Sequence, residues 1–481
     1  MDTPACEEVN IDKQEQKHRD PASELIVSGR ISKAVWFLAW PTIINTLFFT
    51  AYNLINRAFL GRIEDAAPAL AAVGVGGVIM MTQQSVMFGV TAGTAALVSR
   101  FLGAEENNDA DEATGQSLVL SVAAAILTAI PLILFTDTIV AFAGANKDVV
   151  PYAAIYLKVL AMFSPIMFLR MTIQTALRSA GDAKSPLYTG AVLVSVNILL
   201  DWLLIFGHDP VYVWGYQVMP RIPAIGILGA AIATGVSHLC AFLVILIFLK
   251  KSVLRNSIAH LKPHFGWFAR IMNIGWPAVL QNLMWSTGFA AYIKVLSLLP
   301  NAADAQAALT VGIAIESTAF MPGTAYSIAA APLVGQNLGA GKPKRAEHAA
   351  WMAMWQAVAI MSVVAIAFLV IPRQLAMMFS TNESVIGQIA SYLRINGVFE
   401  PFLAVAMVLT GALQGAGDTR MPTVVEFLTS WVMRLPLAWF LAIHLAMGTT
   451  GAWIAMAFTT FLYGVLIAGW FKLGRWKNLQ V

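Results

Sequence analysis

The chain has 481 residues, 58% of them hydrophobic and only 12% charged, against about 25% charged in an average soluble domain. A chain this apolar cannot hide its surface in one water-soluble core, so it reads as an all-α polytopic membrane protein. The net charge of +4 is too small to point to nucleic acid, and two cysteines, Cys6 in a polar tail and Cys240 in an apolar run, suggest no disulfide framework.

Residues 1–30 are polar, carry charges of both signs and lack the apolar stretch of a signal peptide. They read as a cytoplasmic tail, disordered to about residue 22. Twelve spans follow, at roughly 34–60, 66–101, 113–136, 150–177, 186–206, 225–249, 268–297, 303–338, 346–371, 385–414, 422–444 and 450–471. The second and eighth exceed a simple span and contain Gly or Pro, so they are expected to bend or project from the bilayer. With the N-terminus inside, 20 Lys and Arg fall on cytoplasmic segments and 4 (Arg62, Lys147, Arg221, Arg373) on outer ones. That bias places both termini in the cytoplasm.

The chain also repeats itself. Trp40-Pro41 returns as Trp276-Pro277, Leu102-Gly103-Ala104 as Leu338-Gly339-Ala340, and Tyr156-Leu157-Lys158 as Tyr392-Leu393-Arg394. ALRSAGDAKSP from Ala176 returns as ALQGAGDTRMP from Ala412, and all four matches share one offset, 236 in the numbering. GILGAAIA at Gly226 matches GTTGAWIA at Gly448 at an offset of 222, so the first half carries about 14 extra residues, near HDPVYVWGYQVMPR, in an outer loop. The organisation is a tail 1–30, a six-helix lobe 31–250, a cytoplasmic linker 251–266, a second six-helix lobe 267–474 and a tail 475–481. An even number of spans per half gives the halves the same orientation, related by an axis along the membrane normal with a cleft between them, an arrangement common in transporters.

Within the fifth span, VNILLDWLLIFG carries Asn197 and Asp201, one helical turn apart on one face. A buried carboxylate there is a functional group by default, able to take a proton or, with the neighbouring amide oxygen, to coordinate Na⁺. Their counterparts in the second half are Met433 and Leu437, so the scaffold does not need the pair. Arg57, beside Asn56 in the first span, either faces Asp201 and opposes protonation or snorkels to the outer surface. The second half has Lys294, Glu316, Glu400, Glu426 and Arg434, which could pair across the bundle or bind substrate. Pro41 and Pro277 each remove a helical hydrogen bond and should kink their spans. The AGD loops read as scaffold, with Gly181 and Gly417 in the turn and Asp182 and Asp418 as helix caps. His238 is the one histidine placed for a proton role, and a satisfied interior His is the simpler reading. There is no HExxH, Walker A loop, GxSxG or metal-spaced Cys/His set, so no enzyme and no cofactor is expected, and uphill transport has to draw on an ion gradient.

Taken together, the first-span proline with YNLINRAFLGR, VSRFLGA and VGQNLGAGK, ALRSAGD and ALQGAGDT, VNILLDWLLIFG and the RLP of span eleven resemble the MATE family, multidrug and toxic compound extrusion transporters, over about residues 30–475. The resemblance implies a monomeric inner-membrane antiporter, in contact with membrane lipid, that exports cationic lipophilic small molecules against inward H⁺ or Na⁺. It is nearest the prokaryotic DinF-like branch, whose cation site uses an aspartate in span one, Asn and Asp in span five and a Thr in span six. Asn197 and Asp201 match the span-five pair and Thr234 the span-six Thr. Asn56 stands where the span-one Asp is expected, which leaves one carboxylate and favours H⁺ over Na⁺ at Asp201 and Asn197. The alternative is a flippase for a lipid or lipid-linked precursor, which would want a basic cleft. Six intramembrane bases keep it open: Arg57, Lys158, Arg170, Lys294, Arg394 and Arg434.

Overall fold

Apolar stretches as long as these have one stable solution in a bilayer, the helix, because only there does every backbone polar group find a partner within its own segment. In the computed structural model, which describes residues 21–63, 65–207, 211–213, 216–219 and 223–479, each predicted span is a long helix. The first lobe holds α2 (Ile31–Leu60), α3 (Ala66–Gly103), α4 (Asn107–Leu134), α6 (Val150–Ser179), α7 (Lys184–Phe206) and α8 (Gly226–Lys251). A short α1 (Pro21–Val27) precedes it, and a short α5 (Thr136–Phe142) lies between α4 and α6. The second lobe holds α9 (Phe265–Leu296), α10 (Ala302–Gly339), α11 (Pro343–Val370), α12 (Pro372–Met377), α13 (Glu383–Gly415), a rod from α14 (Arg420–Glu426) to His444, and α16 (Gly448–Leu473). Residues 1–20 and 480–481 of the expected tails, and Arg221, lie outside the described residues.

The repeat reappears in the helix bounds. The ends of α3 and α10, and of α4 and α11, keep the offset of 236, and those of α8 and α16 the offset of 222. The extra outer segment contains an antiparallel ribbon, β1 (Val211–Val213) with β2 (Tyr216–Met219), pairing Tyr212 with Gln217. Among the described residues, ten rods are long and apolar enough to cross a membrane. The other two, α9 and α10, are the repeats of α2 and α3, at 32 and 38 residues. At 1.5 Å per residue, the 38 residues of α3 or α10 run about 57 Å, well beyond a hydrocarbon core of about 30 Å, so both project from it. Large apolar side chains such as Leu127 and Leu54, 73% and 69% exposed, are left uncovered by protein, as a chain whose solvent is lipid allows.

The repeats are not identical inside. α7 is regular, whereas the eleventh rod passes through wide π turns at Phe427–Arg434 and Phe440–His444 on either side of α15 (Leu435–Trp439). Pro436 explains the difference: it has no N–H to give and its ring crowds the preceding turn, and the position is Leu200 in α7. α2 and α9 stay helical through Pro41 and Pro277. The AGD loops are scaffold, as expected. Gly181 and Gly417 sit at φ +90° and +88°. Asp182 Oδ1 accepts the N–H groups of Lys184 (3.1 Å) and Ser185 (2.9 Å) at the start of α7. Asp418 accepts from Met421 N–H and, at 2.8 Å, from the Trp470 indole.

Among the described residues, the lobes pack together chiefly at the end that carries the chain termini. α3 packs on α9 and α10, and α2 on α10. A Cβ at Gly103 or Gly339, repeat-related positions, would collide with the backbone of Gln336 or Arg100 across this seam. Apolar clusters at that end mix residues of both lobes. At the far end each cluster belongs to one lobe. α1 straps the seam. It buries Ser23, Ile26 and Val27, the i, i+3, i+4 face. Ser23 Oγ donates to Gln336 Oε1 (2.9 Å), while Asn337, Lys342 and Arg345 donate to the backbone carbonyls of Ile26, Val27 and Gly29. The linker is pinned too: Gln116 on α4 bonds the carbonyls of His260 and Lys262, both at 2.7 Å, and the N–H of His264.

Candidate functional site

Four helices of the first lobe bring Asp201 and Asn197 (α7), Asn56 and Tyr52 (α2), Tyr156 (α6) and Thr234 (α8) into one buried cluster. Asp201 is 0% exposed and Asn197 1%. Neither Asp201 oxygen, neither polar atom of the Asn197 amide and not the Asn56 carbonyl oxygen has a hydrogen-bond partner. Tyr52 OH and Thr234 Oγ1 are 3.2 Å apart, and Thr234 Oγ1 also donates to the Ala230 carbonyl at 2.9 Å. Tyr52 and Tyr156 stand within electrostatic reach of Asp201. Each buried polar group left unpaired costs about 1–3 kcal/mol. A cluster of them around one carboxylate has the donor set of a proton or hard-cation site.

Arg57 settles the choice between its two expected positions. It is exposed in the last turn of α2, with no ion pair to Asp201. Its stem is long enough to put the charge in water, which is cheaper than burying it.

In the second lobe Glu316 (α10), Glu400 (α13) and Tyr392 (α13) meet. Tyr392 OH donates to Glu316 Oε2, and its ring is wedged edge-on against Trp453, 5.1 Å between centroids. Glu400 lies close enough to Glu316 to interact, yet neither of its oxygens has a donor. Two acceptors cannot bond each other unless a proton sits between them. Glu426 accepts from Ser430 Oγ at 2.5 Å. The expected ion pairs across this bundle do not form among the described residues. Lys294 is exposed in the last turn of α9, and Arg434 Nε donates to Thr459 Oγ1 at 2.9 Å, within electrostatic reach of Glu316 and Glu426 but not in contact.

Between the lobes, at the seam, lies a cavity of about 240 Å³. Both lobes line it, among others with Thr91, Gln174 and Arg178 from the first and Asn282, Ser327 and Gln414 from the second. No Asp or Glu lines it among the described residues. Of the bases that a flippase cleft would gather, Arg57, Arg170, Lys294 and Arg434 all lie elsewhere; Arg170 Nε donates to His238 Nδ1 at 3.2 Å inside the first lobe. That contact gives His238 its partner, in line with a satisfied interior residue.

The MatE family model matches residues 41–203 and 277–440, more than half of the chain, in two segments whose starts keep the repeat offset of 236. The chain belongs to the MatE family. This MatE protein is 26% identical over 455 residues to a probable multidrug resistance protein NorM of Thermotoga maritima, covering 94% of each chain. It is 26% identical over 443 residues to an FAD transporter of Shewanella oneidensis, covering 92% of this chain and 94% of that one. A solved structure described as the outward-facing conformation of a multidrug resistance MATE family transporter of the MOP superfamily has the same fold, with a TM-score of 0.86 and 22% identity over 96% of this chain and 100% of that one.

Sequence reasoning about this MatE chain expected a cleft between the lobes but missed the tyrosines and the residues that line the cavity. Tyr52, Tyr156 and Tyr392 look like core aromatics until the helices are assembled. Arg178 did leave a signal: it is the one change from charged to neutral inside the otherwise matched motif, Gln414 taking its place in the repeat.

Proposed function

We propose that this protein is a secondary active transporter that exports lipophilic small molecules across the plasma membrane in exchange for an ion, by alternating access, with Asp201 as the group that binds the coupling ion. The single observation that carries this is the fully buried carboxylate without a hydrogen-bond partner, beside the unpartnered Asn197 amide and the unpartnered Asn56 carbonyl oxygen. A carboxylate in that setting is stable only with a proton or a cation beside it, so its occupancy changes with the face of the membrane it meets. H⁺ is the favoured ion, because Asn56 supplies a neutral oxygen where a second acid would help to balance Na⁺. Na⁺ held by Asp201, Asn197, Asn56 and Thr234 is the alternative. The excess of Lys and Arg puts both termini in the cytoplasm, so the lobes are closed toward the cytoplasm and parted toward the outside. The Thermotoga relative's name supports drug-like cargo.

The test is efflux of ethidium from proteoliposomes under an imposed pH gradient or an imposed Na⁺ gradient. Acceleration by the pH gradient, lost in Asp201→Asn while the variant still inserts and elutes as a folded species, is the expected result. Undiminished gradient-driven efflux from Asp201→Asn would sink the reading. A response to Na⁺ alone would replace the ion.

A further inference from the structure

The cavity at the seam lies on the internal symmetry axis of the molecule. Four pairs of its lining residues are repeats of one another, 236 positions apart: Thr91 with Ser327, Ala92 with Ile328, Ala95 with Ala331 and Arg178 with Gln414. Three pairs match in polarity, Ala92 with Ile328 differing in size alone. The fourth places one guanidinium opposite one amide. The fold accepts a neutral residue at this position in the second half, so the scaffold does not require a cation there.

Among the described residues, Arg178 has no counter-ion. No carboxylate lies within ion-pair distance of it among the described residues, and its Nε is buried without a hydrogen-bond partner. Arg170, two turns back on α6, is within electrostatic reach and adds a second positive charge, its own Nε being turned to His238. On the other wall a relay leads away from the cavity: Gln414 donates to Gln281 (3.3 Å), Gln281 to Tyr463 (3.2 Å), and Glu426, bonded to Ser430, lies within electrostatic reach of Tyr463. Around Arg178 the remaining polar groups are amides and hydroxyls, Gln174, Asn282, Thr91 and Ser327, which serve either sign. Phe88, Met171 and Pro332 supply apolar wall. A planar guanidinium without an anion is a fork built for a carboxylate or phosphate.

We infer that the inter-lobe cavity binds an amphipathic small molecule through one oxyanion, phosphate or carboxylate, held by Arg178. This rests on the transport reading above for what happens to the ligand next, and it departs from the cationic cargo that the family resemblance implies. Two sources carry the chemistry, a water-soluble amphiphile and the head group of a lipid.

Equilibrium dialysis of the purified full-length protein against flavin mononucleotide and riboflavin compares ligands that share a ring system and differ by a phosphate. Binding of the mononucleotide at least roughly tenfold tighter than riboflavin, reduced to parity in Arg178→Gln and partly kept in Arg178→Lys, is the expected result. Gln414→Arg should tighten it further. Short-chain phosphatidic acid as competitor separates the sources: displacement at lower concentration than inorganic phosphate assigns the site to lipid head groups, and the reverse to soluble amphiphiles, both being oxyanion sites. Equal affinity for the two flavins, or a preference that survives Arg178→Gln, overturns the inference. Transport then separates it from the reading it rests on. Phosphate-dependent binding without any gradient response keeps the anion site and removes the antiporter. Asp201-dependent ethidium efflux with no flavin discrimination keeps the antiporter and removes the anion site.

Discussion

The first lobe holds, at its core, a carboxylate to which no protein group among the described residues donates a hydrogen bond, and the second holds three, two of which are already engaged, Glu316 by Tyr392 and Glu426 by Ser430. The helical template is the same. Tyr156 and Tyr392 are repeat partners, and each lies against a repeat-related glycine, Gly76 or Gly312, but only Tyr392 finds an acid to bond, because Met80 occupies the position of Glu316. Conversely Asp201 and Asn197 correspond to Leu437 and Met433 in the other half. A duplicated bundle fixes where polar groups can be placed, not which ones. The lobes differ in how many buried acids a hydroxyl already holds: Glu316 and Glu426 each have one, whereas Asp201 in the first lobe and Glu400 in the second have none.

The sharpest way to break this contrast is Asp201→Asn, which should remove all gradient-driven efflux, while Glu426→Gln should leave most of it; equal losses in proteoliposome assays would erase the distinction. Grafting the acid to its repeat position, Leu437→Asp, should destabilise the second lobe by about 2–7 kcal/mol, since no amide partners wait there, and thermal unfolding in detergent would register it. Tyr392→Phe strips Glu316 of its donor and should cost about 1–3 kcal/mol. Its repeat twin Tyr156→Phe, with no bond to lose, should stay within about 0.5 kcal/mol of the parent in the same melt. Smallest of all, Arg57→Gln should leave pH-driven efflux unchanged, because that side chain lies at the exposed end of α2 rather than against Asp201.

The helices were legible because length and apolarity leave a membrane segment no other structure, and the lobes because whole motifs recur at one spacing. The convergence of Asn56, Asn197, Asp201 and Thr234 was legible from the family resemblance, since nothing in their separate spacings brings α2, α7 and α8 together. Three features were not. Tyr392 reaches Glu316 across 76 residues of chain, and a tyrosine in an apolar run gives no hint of its partner. The second-lobe charges read as mutual counter-ions, but helix ends and rotamers decided otherwise: Lys294 reached the rim and Arg434 a threonine. The widened turns around Pro436 follow from one residue, yet sequence shows only that a proline is there, not how the surrounding turns absorb it.

The small helix α1 has a consequence in time. Ile26 bonds to Arg345, 319 residues further along the chain. At about 5–20 residues per second, roughly 16–64 s of synthesis separate the two. Through that interval α1 can pack only on its first-lobe neighbours, α2, α3 and the turn at Gly181, while the groups of α10 and α11 that bond its carbonyls do not yet exist. The contacts of α1 are therefore complete, and the seam strapped, only after eight spans have been placed and the ninth has begun.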